Sequence, residues 1–151
     1  MENIELLNHK IINRLPYLKT FLFIDKLSFV NENNIIGHYT FSKNDFFYKA
    51  HFKHIPFIPD VIIIEMMGQI GLVCLVVYLH KLHENNIKFH PILQTVEYSV
   101  LKQVYINDKL TVKSEKMYFR KGILKSNIVL FNSNNDICAL FKGQIKIVFD
   151  K

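Results

Sequence analysis

A histidine and a glutamate separated by two prolines are the first residues of the sequence that could do chemistry together. His51 stands fourteen residues before Glu65, and Glu65 lies inside one of the most apolar stretches of the chain. Burying a carboxylate is costly unless the group is paired, protonated or put to use. Imidazole and carboxyl groups are also the side chains that most often move protons in enzymes. The two residues are therefore a candidate base and a candidate acid.

The segment between them adds a third component, the start of a predicted helix. Pro59 and Asp60 mark this start, and the first backbone N–H groups, at Asp60 and Val61, have no acceptor inside the helix. Such groups form the positive end of the helix dipole and stabilise negative charge. A base, an acid and oxyanion donors are what proton abstraction beside a carbonyl requires. Each part alone also has a structural explanation: a buried glutamate can belong to an ion pair, and a loop histidine can be polar surface.

The alternation of apolar residues predicts the elements that would position these groups. The first sixteen residues indicate a short amphipathic helix, and residues 60–83 indicate a long buried helix with Glu65 and Gln69 on one face. Residues 42–60 are predicted to form a long loop. Strands are predicted at 21–30, 34–41, 91–101, 108–119, 122–132 and 137–149, where β-branched and aromatic residues are frequent.

This order of elements predicts an α+β fold, a curled antiparallel sheet wrapped around one long central helix. The chain of 151 residues has no linker-like stretch, so we expect a single domain over 1–151. One sheet cannot cover a helix on every side, and a second subunit is therefore expected to cover the rest. Gly68 and Gly71 leave room for a close neighbour of the helix, either another helix or a ligand.

The net charge of +6 favours an acidic partner. The Lys and Arg residues are scattered, which makes nucleic acid the weaker candidate and leaves an acidic carrier protein or anionic lipid. Residues 61–79 are long enough to span a bilayer, but Glu65 and Gln69 within them would be costly to insert, so we expect a core helix and no membrane span.

The cysteine and histidine spacings do not indicate a metal site. Cys74 and Cys138 lie in separate apolar runs and are expected to be reduced thiols of the core. His80 and His83 lack a third ligand, and solvation of the helix C-terminus explains them better. The N-terminus has no signal-peptide pattern. We therefore expect a cytoplasmic protein that uses no metal and no organic cofactor.

The stretch HFKHIPFIPDVIIIEMMGQ resembles a known signature, His-Phe-Pro-Gly-x-Pro-x-x-Pro-Gly-Val-x-x-x-Glu-Ala-x-Ala-Gln. It belongs to the 3-hydroxyacyl-acyl-carrier-protein dehydratases of hot-dog fold. His51, both prolines, Glu65 and Gln69 are in register with it. Three further stretches are similar to the family, so that the resemblance extends over nearly the whole chain: LPYLKTFLFIDKL, LKQVYINDKLTV and RKGILK.

The resemblance implies a hot-dog fold with the active site at a dimer interface, where His51 of one subunit faces Glu65 of the other. It implies that His51 takes the C2 proton, that the Glu65 carboxyl helps the 3-hydroxyl leave, and that the backbone amide of Asp60 polarises the thioester carbonyl. The expected reaction converts a (3R)-hydroxyacyl-acyl-carrier-protein to the trans-2-enoyl thioester and water. The pathway would make fatty acids or polyene-type lipids.

Further residues are expected to bind the substrate and its carrier. Val61, Gln69, Phe52 and Phe57 would contact the acyl group, the phenylalanines as walls of an apolar tunnel. The partner is expected to be an acyl carrier protein, and the assembly a homodimer or a trimer of dimers. The candidate carrier-binding residues near the tunnel mouth are Lys102, Arg120 and Lys121.

Asp60 is the main departure from the signature, because it replaces the glycine whose N–H would bind the thioester oxygen. Its carboxylate would oppose the charge that catalysis develops unless it turns away, for example to cap the helix. Two alternatives therefore stay open. One is a non-catalytic hot-dog subunit that binds an acyl carrier or pairs with an active partner. The other is a hot-dog acyl thioesterase.

Overall fold

One antiparallel sheet of six strands curls around a long helix in the computed structural model, which describes residues 2–54 and 56–150. The order of the strands in the sheet is β1-β2-β4-β5-β6-β3. The strands are β1 (Lys26–Val30), β2 (Asn34–Tyr39), β3 (Phe89–Val100), β4 (Leu110–Arg120), β5 (Ile123–Phe131) and β6 (Ile137–Phe149). The predicted α+β class and the sheet around a central helix are confirmed.

Helix α2 (Asp60–Leu79) forms the centre of the core. By length and composition it could cross a membrane, but 72% of its most apolar window is buried inside the fold, as expected of a core helix. A wider π-helical turn, Gln69–Val73, interrupts it. At this turn the Ser114 hydroxyl of β4 donates to the Gly71 carbonyl oxygen at 2.8 Å, which ties the helix to the sheet.

The two glycines of α2, Gly68 and Gly71, differ in how closely other residues approach them. A Cβ atom on Gly71 would lie 2.5 Å from the Cδ1 atom of Ile128, so glycine is needed for β5 to approach the helix. A Cβ atom on Gly68 would have only ordinary contact, 3.9 Å from the Phe141 ring. The close neighbour at Gly71 is therefore the sheet, not the helix or ligand expected there, whereas Gly68 keeps open space beside it.

Helix α1 (Ile4–Ile12) closes one side of the core. The Asn3 side chain caps it by accepting the Glu5 N–H at 2.8 Å. Leu7 and Ile11 are buried, as an amphipathic helix requires, while Ile4 in the first turn is 36% exposed.

The first predicted strand is only half right. Residues 21–25 lie outside the strands; a 3₁₀ turn covers Lys19–Phe21, and β1 begins at Lys26. The reason is that this backbone bonds to a side chain of α2 instead of a neighbouring strand. The Phe23 N–H donates to Gln69 Oε1 at 2.8 Å, and the Phe21 carbonyl oxygen accepts from Gln69 Nε2 at 2.9 Å.

The central helix also ends earlier than predicted, at Leu79 instead of residue 83. Lys81 adopts a left-handed conformation with φ of 55°, which stops the helix before a 3₁₀ turn at Leu82–Glu84. The expected solvation of His83 is wrong, since its side chain is only 3% exposed and its Nδ1 lies 3.3 Å from the Val77 carbonyl oxygen. Among the described residues, no three His, Cys, Asp or Glu side chains are grouped so that they could hold a metal.

Candidate active site

The first half of α2 leaves one stripe of its surface incompletely covered. Val61, Ile64, Glu65 and Gly68 form this stripe; their spacing puts them on one face of the helix. Val61 is 70% exposed. From residue 69 to residue 77 the helix is buried on every side. Glu65 therefore lies where the fold leaves its central helix open.

Gln69 fixes the orientation of the Glu65 carboxyl. Its Nε2 donates to Glu65 Oε1 at 3.0 Å and to the Phe21 carbonyl oxygen, while its Oε1 accepts the Phe23 N–H. Gln69 is 1% exposed, so these bonds form in the interior, where an unpaired amide would be costly. Because its polar atoms are taken by protein groups, we propose that Gln69 positions Glu65 and meets the substrate only through its apolar surface.

A cleft of about 310 Å³ opens beside Glu65, with a mostly apolar lining from α2, β3 and β6. Such a space suits a short apolar chain next to a single polar group. Tyr17 and Leu93 are among its walls. Burial raises the pKa of the Tyr17 phenol, and the negative charge of Glu65 raises it further, so that this hydroxyl stays a hydrogen-bond donor. Tyr17 was missed in the sequence, although it follows Leu-Pro in a stretch similar to the family.

His51 is not among the described residues that line this cleft. Its ring stacks on the Phe52 ring with the centroids 3.9 Å apart, and its carbonyl oxygen accepts the Phe57 N–H. The His51 Nδ1 atom is buried and has no hydrogen-bond partner among the described residues. A buried, unpaired imidazole nitrogen is unfavourable. A partner from outside the chain would satisfy it.

The helix N-terminus forms a second, smaller pocket of about 120 Å³. Phe57, Asp60 and Val100 are among its lining residues. The Ile62 and Ile63 N–H groups donate to the Pro59 carbonyl oxygen, whereas those of Asp60 and Val61 have no acceptor among the described residues. These two are the orphan donors expected at a helix start.

The Asp60 carboxylate is turned towards the sheet. The Tyr98 hydroxyl of β3 donates to Asp60 Oδ1 at 3.0 Å. Burial raises the pKa of the Tyr98 phenol most, and the neighbouring Asp60 carboxylate adds to the rise. Tyr98 was also missed in the sequence, because the strand pattern around it gives no sign of a partner thirty-eight residues away.

The predicted acyl-contact residues Phe52 and Val61 are 59% and 70% exposed in the single chain. Val61 lies on the open stripe of α2 with Glu65, and the Phe52 ring stacks on that of His51. Exposed apolar side chains around polar groups are typical of a surface that another molecule covers. Their role in binding the acyl group stays a prediction.

The three predicted carrier-binding residues lie at opposite ends of α2 within one chain. Lys102 lines the small pocket at the helix N-terminus and forms an ion pair with Asp136 at 2.7 Å. Arg120 and Lys121 follow Phe119, whose ring lies 6.2 Å from that of His80 at the helix C-terminus. The 20 residues of the helix separate the two groups by roughly 30 Å.

Comparison with known proteins identifies the family of this chain. The family description "FabA-like domain" matches residues 15–140. A 3-hydroxyacyl-[acyl-carrier-protein] dehydratase, FabZ, from Acinetobacter baylyi is 32% identical over 119 residues, which cover 78% of this chain and 79% of that protein. The match includes both His51 and the whole of α2.

Two solved structures support the fold. The dehydratase heterocomplex ApeI:P from Xenorhabdus doucetiae matches with a TM-score of 0.74 at 12% identity, covering 89% of each chain. A thioesterase from Haemophilus influenzae matches with a TM-score of 0.61 at 12% identity, covering 99% of this chain and 92% of that one. At such identities both likenesses describe the hot-dog fold alone. The family match and the dehydratase relative show the family: the chain belongs to the FabA-like family.

Proposed function

We propose that the enzyme removes water from a (3R)-hydroxyacyl-acyl-carrier-protein with His51 as base and Glu65 as acid. The observation that carries this assignment is the Glu65 carboxyl, held by Gln69 at 3.0 Å beside an apolar cleft on the open stripe of α2. An acid for this reaction must stand beside an acyl chain, hold one orientation and be reachable by substrate. Glu65 meets these three requirements.

The proposed proton transfers balance. His51 takes a proton from C2 of the acyl group, and the electron pair of the broken C2–H bond forms the C2–C3 double bond. The C3–O bond breaks, and the hydroxyl group leaves as water with the proton of the Glu65 carboxyl. Negative charge that develops on the thioester oxygen is stabilised by the Asp60 N–H. The two side chains return to their starting states by exchanging a proton with solvent.

A second copy of the chain would complete the site. Strand β3 is at the edge of the sheet, and nearly all of its twelve residues are incompletely buried. Exposed apolar side chains along it include Leu93, Val96 and Val100. A long apolar edge of this kind pairs readily with another strand. Pairing with β3 of a second copy would also cover the open stripe of α2 and supply a neighbour for His51.

A symmetric pair would bring the separated basic residues together. A twofold axis makes the two β3 strands antiparallel, so that the Val100 end of one copy meets the Phe89 end of the other. Lys102 of one copy would then lie on the same side as Arg120 and Lys121 of the second. An acidic acyl carrier protein could contact both groups there, and the net charge of +6 would speed its approach. Trimers of dimers are compatible with this pair.

The non-catalytic alternative is favoured by one observation, an aspartate, Asp60, at the position where the family signature has glycine. The variant Asp60→Gly tests it: if the wild-type protein binds acyl carrier protein without dehydrating its substrate, and the variant becomes active, the chain is a binding subunit. The thioesterase alternative has only the fold in its favour and predicts release of a free thiol from an acyl thioester.

The deciding experiment incubates the protein with a panel of hydroxyacyl-carrier thioesters of different length and saturation and identifies the products by mass spectrometry. We expect enoyl products 18 mass units below the substrates, and a loss of roughly a hundredfold or more in rate for His51→Ala. His54→Ala, in the same loop, is the matched control. An unchanged rate in His51→Ala would refute the assignment. The panel also separates ordinary fatty-acid substrates from polyene intermediates, in what we expect is a cytoplasmic pathway.

A further inference from the structure

Asp60 has two places for its carboxylate, and only one is compatible with catalysis. As the first residue of α2 it can bend over the unpaired N–H groups of Asp60 and Val61, because the positive end of a helix attracts a carboxylate. Those N–H groups are the ones expected to bind the thioester oxygen. The other place is the one observed, at the Tyr98 hydroxyl 3.0 Å away.

No cation in the part of the chain that the structure describes pairs with the Asp60 carboxylate. Lys102 lines the same pocket, but its ammonium group donates to Asp136 at 2.7 Å. Within the described residues the Asp60 carboxylate forms no ion pair and is held by a neutral phenol. The carboxylate therefore lies beside the helix start with only a neutral partner, and its effect on catalysis depends on its distance from the free N–H groups.

Tyr98 is well placed to fix that direction. It is half-buried on β3, and its ring packs against the hydrophobic core. A phenol anchored by its ring loses little entropy when it holds a partner. The strand thus offers the carboxylate a rigid donor other than the free N–H groups.

We propose that Tyr98 is a positioning residue, whose hydroxyl holds the Asp60 carboxylate against β3 and keeps the Asp60 and Val61 N–H groups open for the thioester oxygen. This inference rests on the proposed function. It explains how the chain can work with an aspartate where the family signature has glycine. Tyr98 itself would touch neither the reacting atoms nor the substrate.

The test is a double-mutant cycle with Tyr98→Phe and Asp60→Asn, assayed on a hydroxyacyl-carrier thioester. Tyr98→Phe should lower kcat about tenfold with KM within twofold, because the freed carboxylate opposes charge that appears only in the transition state. In the Asp60→Asn background the same substitution should cost less than twofold, whatever rate Asp60→Asn itself has. Tyr105→Phe, which removes the hydroxyl of an exposed tyrosine near the same end of the sheet, should leave kcat unchanged.

A readout independent of activity accompanies the cycle. The difference between the ultraviolet pH titrations of the wild type and of Tyr98→Phe isolates the Tyr98 phenol, whose pKa should fall when Asp60 is Asn. An equal loss of kcat in both backgrounds would show that Tyr98 acts through packing, and it would overturn the inference while the dehydratase assignment stands. A wild-type protein with no dehydratase activity would instead overturn the proposed function and the positioning role with it.

Discussion

The two halves of the central helix are built from similar apolar residues but have opposite surroundings. The second half, from Gln69 to Val77, is enclosed by the sheet and α1, and Gly71 lets β5 approach to contact distance. The first half keeps an open stripe that carries Glu65, and Gly68 leaves space in front of it. The closed half anchors the helix in the core, and the open half presents it to another molecule.

Gln69 stands at the boundary of the two halves and links their roles. It is buried like the second half, yet it bonds to Glu65 in the first. Its other bonds go to the backbone of Phe21 and Phe23, and the Phe23 side chain is buried in the core. A buried residue such as Gln69 can thus hold the orientation of a functional group on an open surface, here the Glu65 carboxyl. Substitutions in the two halves should therefore affect different properties.

The largest expected effect is on activity and comes from the open half. Glu65→Gln preserves the shape of the side chain and can still accept from Gln69, but it cannot give a proton. We expect kcat to fall roughly a hundredfold or more while the thermal unfolding midpoint changes little. Steady-state kinetics and calorimetry on the same preparation check this. A kcat within threefold of wild type would show that Glu65 is not the acid.

The next largest effect should come from a substitution that stops a second copy of the chain from covering the open half. Val96→Lys places a charge on the apolar edge strand β3, where Val96 is 41% exposed. We expect the dimer to dissociate at micromolar concentration and activity to fall with it, on the order of tenfold, because an interface core excludes unpaired charge. Analytical ultracentrifugation gives the mass, and Val129→Lys, on β5 away from the sheet edge, is the control. A dimer that survives Val96→Lys would place the interface elsewhere.

The closed half should show its effect in stability. Gly71→Ala would put a methyl group 2.5 Å from Ile128, and we expect it to lower the free energy of unfolding by about 1–3 kcal/mol. Gly68→Ala meets only the Phe141 ring, at 3.9 Å, and should raise stability by about 0.5–1 kcal/mol because alanine favours a helix. Denaturant unfolding of both variants tests the pair. Equal effects at the two positions would contradict the contrast between the halves.

The smallest effect should come from the basic turn between β4 and β5. Reversing Arg120 and Lys121 to Glu should raise KM for the carrier-bound substrate a few-fold and weaken its dependence on salt. A short pantetheine thioester needs no carrier docking, so its rate should stay the same. Equal losses on both substrates would mean that these charges support the fold instead of the carrier.

The sequence determined the family and the order of the elements, and it predicted the chemistry. The spacing of His51, Pro59, Glu65 and Gln69 indicated a base, a helix start and an acid, and the family match that includes these positions confirms the family. Five of the six strands fall within two residues of their predicted limits, since alternation of side chains between two faces is a local property that the sequence shows directly. The assignment of the catalytic residues themselves stays a prediction.

Only the tertiary structure decided which groups meet. The backbone of residues 21–23 gave no sign that it would bond to Gln69 instead of another strand, and His83 gave none that it would be buried. The bond between Tyr98 and Asp60 joins a strand to a helix start thirty-eight residues away. Contacts of this kind depend on how the sheet curls around the helix, a property of the whole chain that no local pattern contains. For the same reason, the sequence named Glu65 as the candidate acid, whereas the fold showed that this residue lies on the half of the helix left open.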